Sequence, residues 1–186
     1  RGVSMVTFIA VARSVPLHEG AVETVRDLRK MGYQVGIISD SFRVATETIR
    51  RRVFADFSLA HVMRFEQGLA SGEIGLCPSM FHESGCDKHY LCKKNVLLHL
   101  SHLTEVDLEQ FIAIGDGEND ICMLETAGTS FAFRPKSDAV RMSATFAIES
   151  QLSEVSGRLF SRLNDPMPIS DWKDQIHCFE LGHKCG

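Results

Sequence analysis

The sequence has no long apolar run, no excess of basic residues and no internal repeat. Since a membrane-spanning helix needs about 18 or more consecutive apolar residues, we expect no transmembrane segment. Residues 1–12 carry no cleavage-site pattern, so we do not interpret them as a signal peptide. The net charge of −4 disfavours nucleic-acid binding but permits a local basic pocket for a small anion. With 44% apolar residues among 186, the composition is that of a globular protein with a continuous core.

The cysteine content is even but does not indicate a disulfide scaffold. A chain of this size can bury a core without disulfides, so we favour free thiols in a reducing compartment such as the cytoplasm. The six cysteines are Cys77, Cys86, Cys92, Cys122, Cys178 and Cys185.

The hydrophobic pattern alternates between helical and strand-like segments. This alternation predicts an α/β fold with a doubly wound parallel sheet, in which ligands bind at the carboxyl ends of the strands. Two predicted strands end in small polar residues, at Ser39-Asp40-Ser41 and at Gly115-Asp116-Gly117. The predicted strands are residues 5–12, 33–38, 111–114, 130–133 and 146–148. The predicted helices are residues 20–31, 43–53, 93–103, 119–127 and 139–144. A turn is predicted at residues 39–42 and a hairpin at residues 65–74.

Three short motifs carry possible chemistry. The turn after residue 114 brings carboxylates and an amide together around Asp116, which suits a hard cation such as Mg²⁺. The alternative is an ordinary helix N-terminus, where acidic residues are favoured in any case. Ser39 at a strand end offers a hydroxyl and nearby N–H groups to a phosphate, although taken alone it is better explained as an ordinary N-cap. Lys93 and Lys94 are the first residues of a predicted helix. One of them could neutralise a phosphate, and the alternative is that both are simply solvated surface lysines.

Taken together and in this order, these motifs resemble motifs two, three and four of the haloacid dehalogenase-like phosphatases. Residues 16–42 are similar to the passage of phosphoserine phosphatases that contains a helix, a strand and Ser-x-x-Phe, and residues 66–74 are similar to their small hairpin. The resemblance covers about residues 16–148. It implies a phosphatase core over residues 16–150, preceded by the end of a cap or a linker (1–15) and followed by a C-terminal extension (151–186).

The resemblance also implies a role for each matching residue. Ser39 would bind the transferring phosphoryl group, with Asp40, Ser41 and Asn119 on the substrate side. Lys93 would bridge the phosphate and the nucleophile, and we prefer it to Lys94 because apolar residues follow it at the family's offsets. Mg²⁺ would be held by Asp116 and Asp120, and Asp120 would also support the lysine.

The family's first motif, an apolar strand ending in Asp-x-Asp, is missing from the sequence. The N-terminal apolar segment at residues 5–12 ends without a carboxylate, and Asp40 lacks the second aspartate. We therefore expect the nucleophile to come from an upstream segment or a separate subunit. Ser-Asp-Ser-Phe replaces the usual Ser-Gly-Gly-Phe and is closer to the Ser-Asp-Thr-Phe of related phosphotransferase-type enzymes, which leaves the substrate open.

Two functional hypotheses follow. The first is a Mg²⁺-dependent phosphomonoesterase acting on a small phosphorylated metabolite such as phosphoserine. The second is a catalytically inactive relative that binds a phosphorylated ligand or a partner protein. It is supported by the missing nucleophile and opposed by the retained motif residues.

A group of cysteines and histidines has no counterpart in the resemblance. His82, Cys86, His89 and Cys92 follow one another at short intervals, and Cys/His spacing of this kind can bind Zn²⁺. A loop with incidental polar residues is the alternative we favour from the sequence. Cys77, His177, Cys178, His183 and Cys185 are further candidate ligands of a zinc-stabilised module.

Overall fold

A computed structural model describes residues 1–82 and 85–161. The chain divides into two compact units, one built mainly from Arg1–Cys77 and the other from Pro78–Leu159, called here the first and second units. Among the described residues, no helix is both long enough and apolar enough to cross a membrane.

The first unit contains a three-stranded sheet and three helices. The strand order is β1-β2-β3, with β1 parallel to β2 and β2 antiparallel to β3. The hairpin turns at Gln67 and Gly68, both with positive φ, a conformation that suits a tight hairpin connection. The elements are α1 (Met5–Ser14), α2 (Ala21–Lys30), β1 (Gly36–Phe42), α3 (Arg43–Val53), β2 (Phe57–Glu66) and β3 (Leu69–Gly75).

The second unit is a parallel three-stranded sheet with short helices. The order is β4-β5-β6, and the central strand β5 is paired on both edges and is buried from Ser130 to Phe133, as is typical of parallel strands. Val96, Leu97 and Leu100 form the buried stripe of α4. The elements are α4 (Lys93–Thr104), β4 (Ile112–Gly115), α5 (Ile121–Thr126), β5 (Thr129–Phe133), α6 (Asp138–Met142), β6 (Phe146–Ile148) and α7 (Glu154–Phe160).

The predicted α/β class is confirmed, and the predicted helices and strands recur with shifts of a few residues at their ends. The predicted hairpin corresponds to the β2–β3 pair. The first half of β2 and the helix α7 had not been predicted. The domain limits expected from the resemblance stay a prediction.

The predicted strand over residues 5–12 is wrong, because this segment is helix α1. Val, Ile and Phe at these positions fit a strand or a helix equally well by composition. Ser4 favours the helix, since its side-chain oxygen accepts a hydrogen bond from the Thr7 backbone N–H at 3.0 Å and caps the first turn. Ala12 is buried, while Val6 and Val11 are exposed.

Two further local predictions need correction. Residues 39–42 are not a turn between strand and helix, because β1 continues to Phe42 with a shift in register after Ser39. The helix predicted from residue 119 begins instead as a 3₁₀ turn, Glu118–Asp120, and only then becomes α5. The tighter turn lets the Asp120 carboxylate reach back to the backbone at the end of β4.

Candidate active site

The acidic turn after β4 is organised around the side chain of Asp120. Its Oδ2 accepts hydrogen bonds from the backbone N–H groups of Asp116 at 3.0 Å and Gly117 at 3.1 Å. Gly115 makes this closure possible, since a Cβ at that position would lie 2.5 Å from the Cβ of Asp120. The turn therefore needs glycine where the backbone and the carboxylate meet.

The other oxygen of Asp120 holds the first lysine of α4. Lys93 Nζ lies 2.7 Å from Asp120 Oδ1, and both residues are buried, with exposed fractions of 8% and 4%. An ammonium group is removed from water only at a large energetic penalty, which this paired and hydrogen-bonded carboxylate offsets. Lys94 is more exposed than Lys93. The buried lysine is therefore Lys93, the one preferred from the sequence, and its role stays a prediction.

The carboxylate of Asp116 faces a different cation. Its Oδ2 lies 2.6 Å from Lys136 Nζ, and the Lys136 backbone N–H donates to the Asp116 carbonyl oxygen at 2.9 Å. The hydrogen bond to Asp116 raises the pKa of Lys136 above its ordinary value. The sequence did not predict Lys136 as a neighbour of Asp116, because no local pattern around Pro135 and Lys136 indicates a contact with a residue 20 positions earlier.

The predicted phosphate-binding serine lies in the first unit, at the register shift of β1. Ser39 Oγ accepts a hydrogen bond from the Ser41 backbone N–H at 3.1 Å, which holds the Ser39-Asp40-Ser41 segment just before α3 begins. Asp40 and Ser41 are exposed, and Ser39 is half-buried. Backbone N–H groups at a helix start, next to a serine hydroxyl, suit an anion.

The structure thus brings the predicted site residues together in two sets. Asp116, Asp120 and Lys93 are joined by direct hydrogen bonds in the second unit, and Asn119 lies exposed on the same turn. Ser39, Asp40 and Ser41 form one segment of the first unit.

The donor chemistry of the acidic turn fits a hard divalent cation. Asp116 presents a half-exposed carboxylate at a strand end, and carboxylate oxygens are the ligands that Mg²⁺ prefers. Both oxygens of Asp120 already accept hydrogen bonds, one from Lys93 and the other from backbone N–H groups. Asp116 is therefore the more available of the two predicted ligands. The metal roles of both residues stay predictions.

A second cluster of ligand-type side chains lies beside these residues in sequence. Cys86, His89, Cys92 and Cys122 each direct one sulfur or nitrogen atom into a group within 4.8 Å of one another. His82, predicted as a possible member, instead packs its ring against His99 at 5.0 Å between ring centroids. Cys122 had not been grouped with the loop cysteines because it lies 30 residues further along the chain.

The thiols of this cluster differ in their pKa values. Burial raises the pKa of Cys86, but hydrogen bonds from the Lys88 backbone and the His89 ring outweigh burial and lower the pKa to about 6. Burial raises the pKa of Cys92 to about 12, and burial also raises that of Cys122. None of the four cysteines in residues 1–82 and 85–161 forms a disulfide, which agrees with the favoured thiol interpretation.

An acidic turn at the carboxyl end of a parallel strand, with a buried lysine on the preceding helix, lies where ligands bind in α/β sheets. Comparison with known proteins gives the class of the protein. Residues 88–154 match the family described as haloacid dehalogenase-like hydrolase. The chain belongs to the haloacid dehalogenase-like superfamily, and within it the chain is phosphoserine phosphatase-like.

Two curated relatives and one solved structure illustrate the similarity. The chain is 32% identical over 138 residues to the phosphoserine phosphatase of Streptomyces coelicolor, covering 74% of this chain and 31% of that protein. It is 30% identical over 127 residues to that of Methanocaldococcus jannaschii, covering 68% and 56%. A phospho-aspartyl intermediate analogue of phosphoserine phosphatase superposes with a TM-score of 0.71 at 23% identity, covering 85% of this chain and 71% of that one.

These matches leave part of each curated relative without a counterpart. The chain spans 31% of the length of the first relative and 56% of the second. The likeness to the solved structure, at 23% identity, supports the fold alone.

Proposed function

We propose that this protein is a Mg²⁺-dependent phosphomonoester hydrolase of a small phosphorylated metabolite, such as phosphoserine. The observation that carries the proposal is the buried Lys93–Asp120 ion pair, locked onto the turn after β4. A buried ion pair adds little to stability compared with apolar packing, so stability alone does not account for these two buried charges. The curated relatives support the substrate class, since both are named phosphoserine phosphatases.

Each residue of the second unit has a distinct role in this proposal. Asp120 fixes the rotamer of Lys93, so that the ammonium group neutralises charge on the phosphate and the nucleophile as the phosphoryl group transfers. Asp116 is the principal protein ligand for Mg²⁺, and Asp120 supports that ligand from behind. The bound cation supplies charge neutralisation of the phosphate oxygens. Lys136 holds the Asp116 carboxylate and would have to share it with the cation.

Ser39, Asp40, Ser41 and Asn119 are assigned to the substrate side. The hydroxyl of Ser39 donates to a phosphoryl oxygen, and the backbone N–H groups around Ser41 and the start of α3 favour an anion. Asp40 and Ser41 are exposed and can reach a polar substrate group. Asn119 can donate an amide hydrogen bond to the phosphate or the substrate.

The nucleophile is proposed to be an aspartate from outside residues 1–186, on an upstream segment or a partner subunit. The phosphoryl group transfers from the substrate oxygen to the aspartate, releasing the alcohol, and water then attacks phosphorus and frees inorganic phosphate. Two observations support an added strand. Within residues 1–82 and 85–161, β1 and β4 are edge strands of their sheets, and the apolar residues Ile37, Ile38 and Ile112 are only partly buried.

The cytoplasm is the proposed location. The thiols of the described cysteines and the polar metabolite substrate suit a reducing compartment.

The deciding experiment measures phosphate release with Mg²⁺ from phosphoserine and from a generic aryl phosphate. It compares the 186-residue chain with a longer protein that includes the sequence upstream of Arg1. We expect release only from the longer protein. Asp116→Asn and Lys93→Met should each reduce its kcat by about 100-fold or more, whereas Lys94→Met should stay close to wild type.

Each alternative outcome has a definite meaning. Release by the 186-residue chain that is sensitive to Asp116→Asn would place the nucleophile within these residues, and Asp40 would be the first to substitute. No release from the longer protein, together with measurable phosphoserine binding by calorimetry, would favour the inactive binding relative. That hypothesis is kept because no apolar strand among the described residues ends in an aspartate pair.

A further inference from the structure

The loop that leads into α4 carries a cluster that the proposed phosphatase chemistry does not use. Cys86, His89 and Cys92 come from this loop, and Cys122 comes from the start of α5. Two of the cysteines are buried, Cys92 and Cys122, with exposed fractions of 6% and 7%. Cys86 is half-buried and His89 is exposed, so the four ligand-type groups face one another at the edge of the core, and their close approach needs a physical explanation.

The distances within the cluster match those between the ligands of a tetrahedral zinc ion. With Zn–S near 2.3 Å and Zn–N near 2.05 Å, a tetrahedron has edges of about 3.8 Å between sulfurs and about 3.5 Å between sulfur and nitrogen. The Sγ atoms of Cys86 and Cys122 lie 3.8 Å apart, and His89 Nδ1 lies 3.4 Å from Cys86 Sγ and 3.5 Å from Cys122 Sγ. The fourth ligand, Cys92, lies within the same 4.8 Å limit, so closing the tetrahedron requires a shift of about 1 Å or less.

The loop is held in this arrangement by a buried asparagine. Asn95, with an exposed fraction of 2%, accepts a hydrogen bond from the Cys86 backbone N–H at 2.8 Å and donates to the Met80 carbonyl at 2.8 Å. Gly85 permits this contact, since a Cβ there would lie 2.1 Å from Asn95 Oδ1. Asn95 of α4 therefore holds the ligand loop in place, as hydrogen bonds behind the ligands do in metal sites.

Backbone donors also face the sulfurs. The N–H groups of Lys88 and His89 donate to Cys86, and that of Lys94 donates to Cys92. The side chain of Lys88 adds positive charge near Cys122. Three thiolates and one neutral imidazole around Zn²⁺ leave one net negative charge, which these donors and Lys88 offset.

We propose that Cys86, His89, Cys92 and Cys122 bind one structural Zn²⁺ ion, separate from the Mg²⁺ of the phosphatase chemistry. All four ligands are protein side chains, the closed arrangement of a structural rather than a catalytic site. The ion ties the loop to the starts of α4 and α5. Cys92 immediately precedes Lys93, and Cys122 follows Asp120 by two residues, so the metal fixes the two helices that carry the buried ion pair.

The test is the metal content of the purified protein, measured by plasma mass spectrometry after expression in zinc-supplemented medium. We expect about one zinc per chain in the wild type and less than about a tenth of that in Cys86→Ser and Cys122→Ser. Cys77→Ser is the matched control, because Cys77 is equally buried but is not a member of the cluster. It should retain the full zinc content.

A second measurement uses only the wild-type protein, so its result does not depend on whether the variants fold. Zinc in the wild-type protein is exchanged for Co²⁺, whose absorption spectrum reports both tetrahedral geometry and thiolate ligation. Strong thiolate-to-metal charge-transfer bands support the site, whereas an octahedral spectrum overturns it. The proposal is equally overturned if the wild type contains no zinc, if Cys77→Ser loses the metal to the same extent, or if Cys86 and Cys122 are isolated as a disulfide.

Discussion

At the scale of single residues, the Asp120 side chain connects most of the candidate chemistry of the second unit. One of its oxygens takes the Lys93 ammonium group, and the other takes the two backbone N–H groups at the end of β4. These three hydrogen bonds occupy most of the roughly four lone-pair sites of a carboxylate, so Asp120 mainly holds its neighbours in place. Asp116 is half-exposed and paired with Lys136, and its role as a ligand stays a prediction.

Gly115→Ala tests how tightly this support is packed. The added Cβ would lie 2.5 Å from Asp120 Cβ and 2.9 Å from Asp120 Oδ2, so Asp120 must shift and its hydrogen bonds must be disturbed. We expect the free energy of unfolding to fall by about 2–3 kcal/mol, measured by urea denaturation.

The matched control is Gly157→Ala, also in the second unit. Gly157 is exposed in α7, and a Cβ there would meet nothing within 4 Å. Replacing a helical glycine by alanine should raise the free energy of unfolding by about 0.5–1 kcal/mol. Similar losses in both variants would contradict the packing argument for Gly115.

At the scale of elements, the Glu47 carboxylate links α3 to β2, beside a second contact between the hydroxyls of Thr46 and Ser58. Glu47 accepts hydrogen bonds from Arg50 at 2.8 and 3.0 Å and from the hydroxyl of Ser58 at 2.8 Å. Ser58 lies on β2 and is buried, so the contact fixes the helix against the sheet that carries Ser39. Burial raises the pKa of Glu47, but the hydrogen bonds from Arg50 and Ser58 outweigh burial and lower it.

Glu47→Gln should therefore destabilise the protein in a pH-dependent way. At pH 7 we expect the free energy of unfolding to fall by about 1–2 kcal/mol, since the charged hydrogen bonds are lost. Because the pKa of Glu47 is lowered by folding, its contribution is present above the ordinary value of 4.5 and is lost as the pH falls through the folded-state pKa.

The measurement is urea denaturation of wild type and variant at several pH values between about 3 and 7. The difference between the two proteins should shrink at the acidic end. Glu23→Gln, an exposed change on α2 in the same unit, should shift the free energy by less than about 0.5 kcal/mol. A difference between wild type and Glu47→Gln that does not change with pH would contradict the assignment.

At the scale of the whole molecule, the described residues form two compact units, each with its own three-stranded sheet. All four proposed zinc ligands belong to the second unit, as do Lys93 and Asp116. Metal removal should therefore loosen the second unit first. With a strong zinc chelator, we expect amide hydrogen exchange of the loop at residues 86–92 and of the first turn of α4 to rise by about tenfold or more.

The comparison within the same experiment is β2 of the first unit. Its buried residues, Ser58 to Ala60, should keep their exchange rates after chelation. Cys86→Ser without chelator should reproduce the exchange pattern of the chelated wild type. Unchanged exchange around Cys86 and Cys92 would show that no metal holds this loop.

The local signals in the sequence determined most of the elements and the family. Apolar runs followed by glycine and small polar residues predicted β4 and its acidic turn, and the spacing of Val96, Leu97 and Leu100 predicted the buried face of α4. The offset of that face from Lys93 also favoured Lys93 over Lys94 as the motif lysine. These signals work because turn chemistry and helical periodicity act over a few residues.

The tertiary structure decided what depends on residues far apart in sequence. It formed the pairs Lys136–Asp116 and Glu47–Ser58, and it brought Cys122 to the loop that carries Cys86 and His89. These three contacts arise from packing between elements, and no short sequence window contains both partners. For α1, composition was ambiguous between strand and helix, and the structure shows a helix whose first turn is capped locally by Ser4.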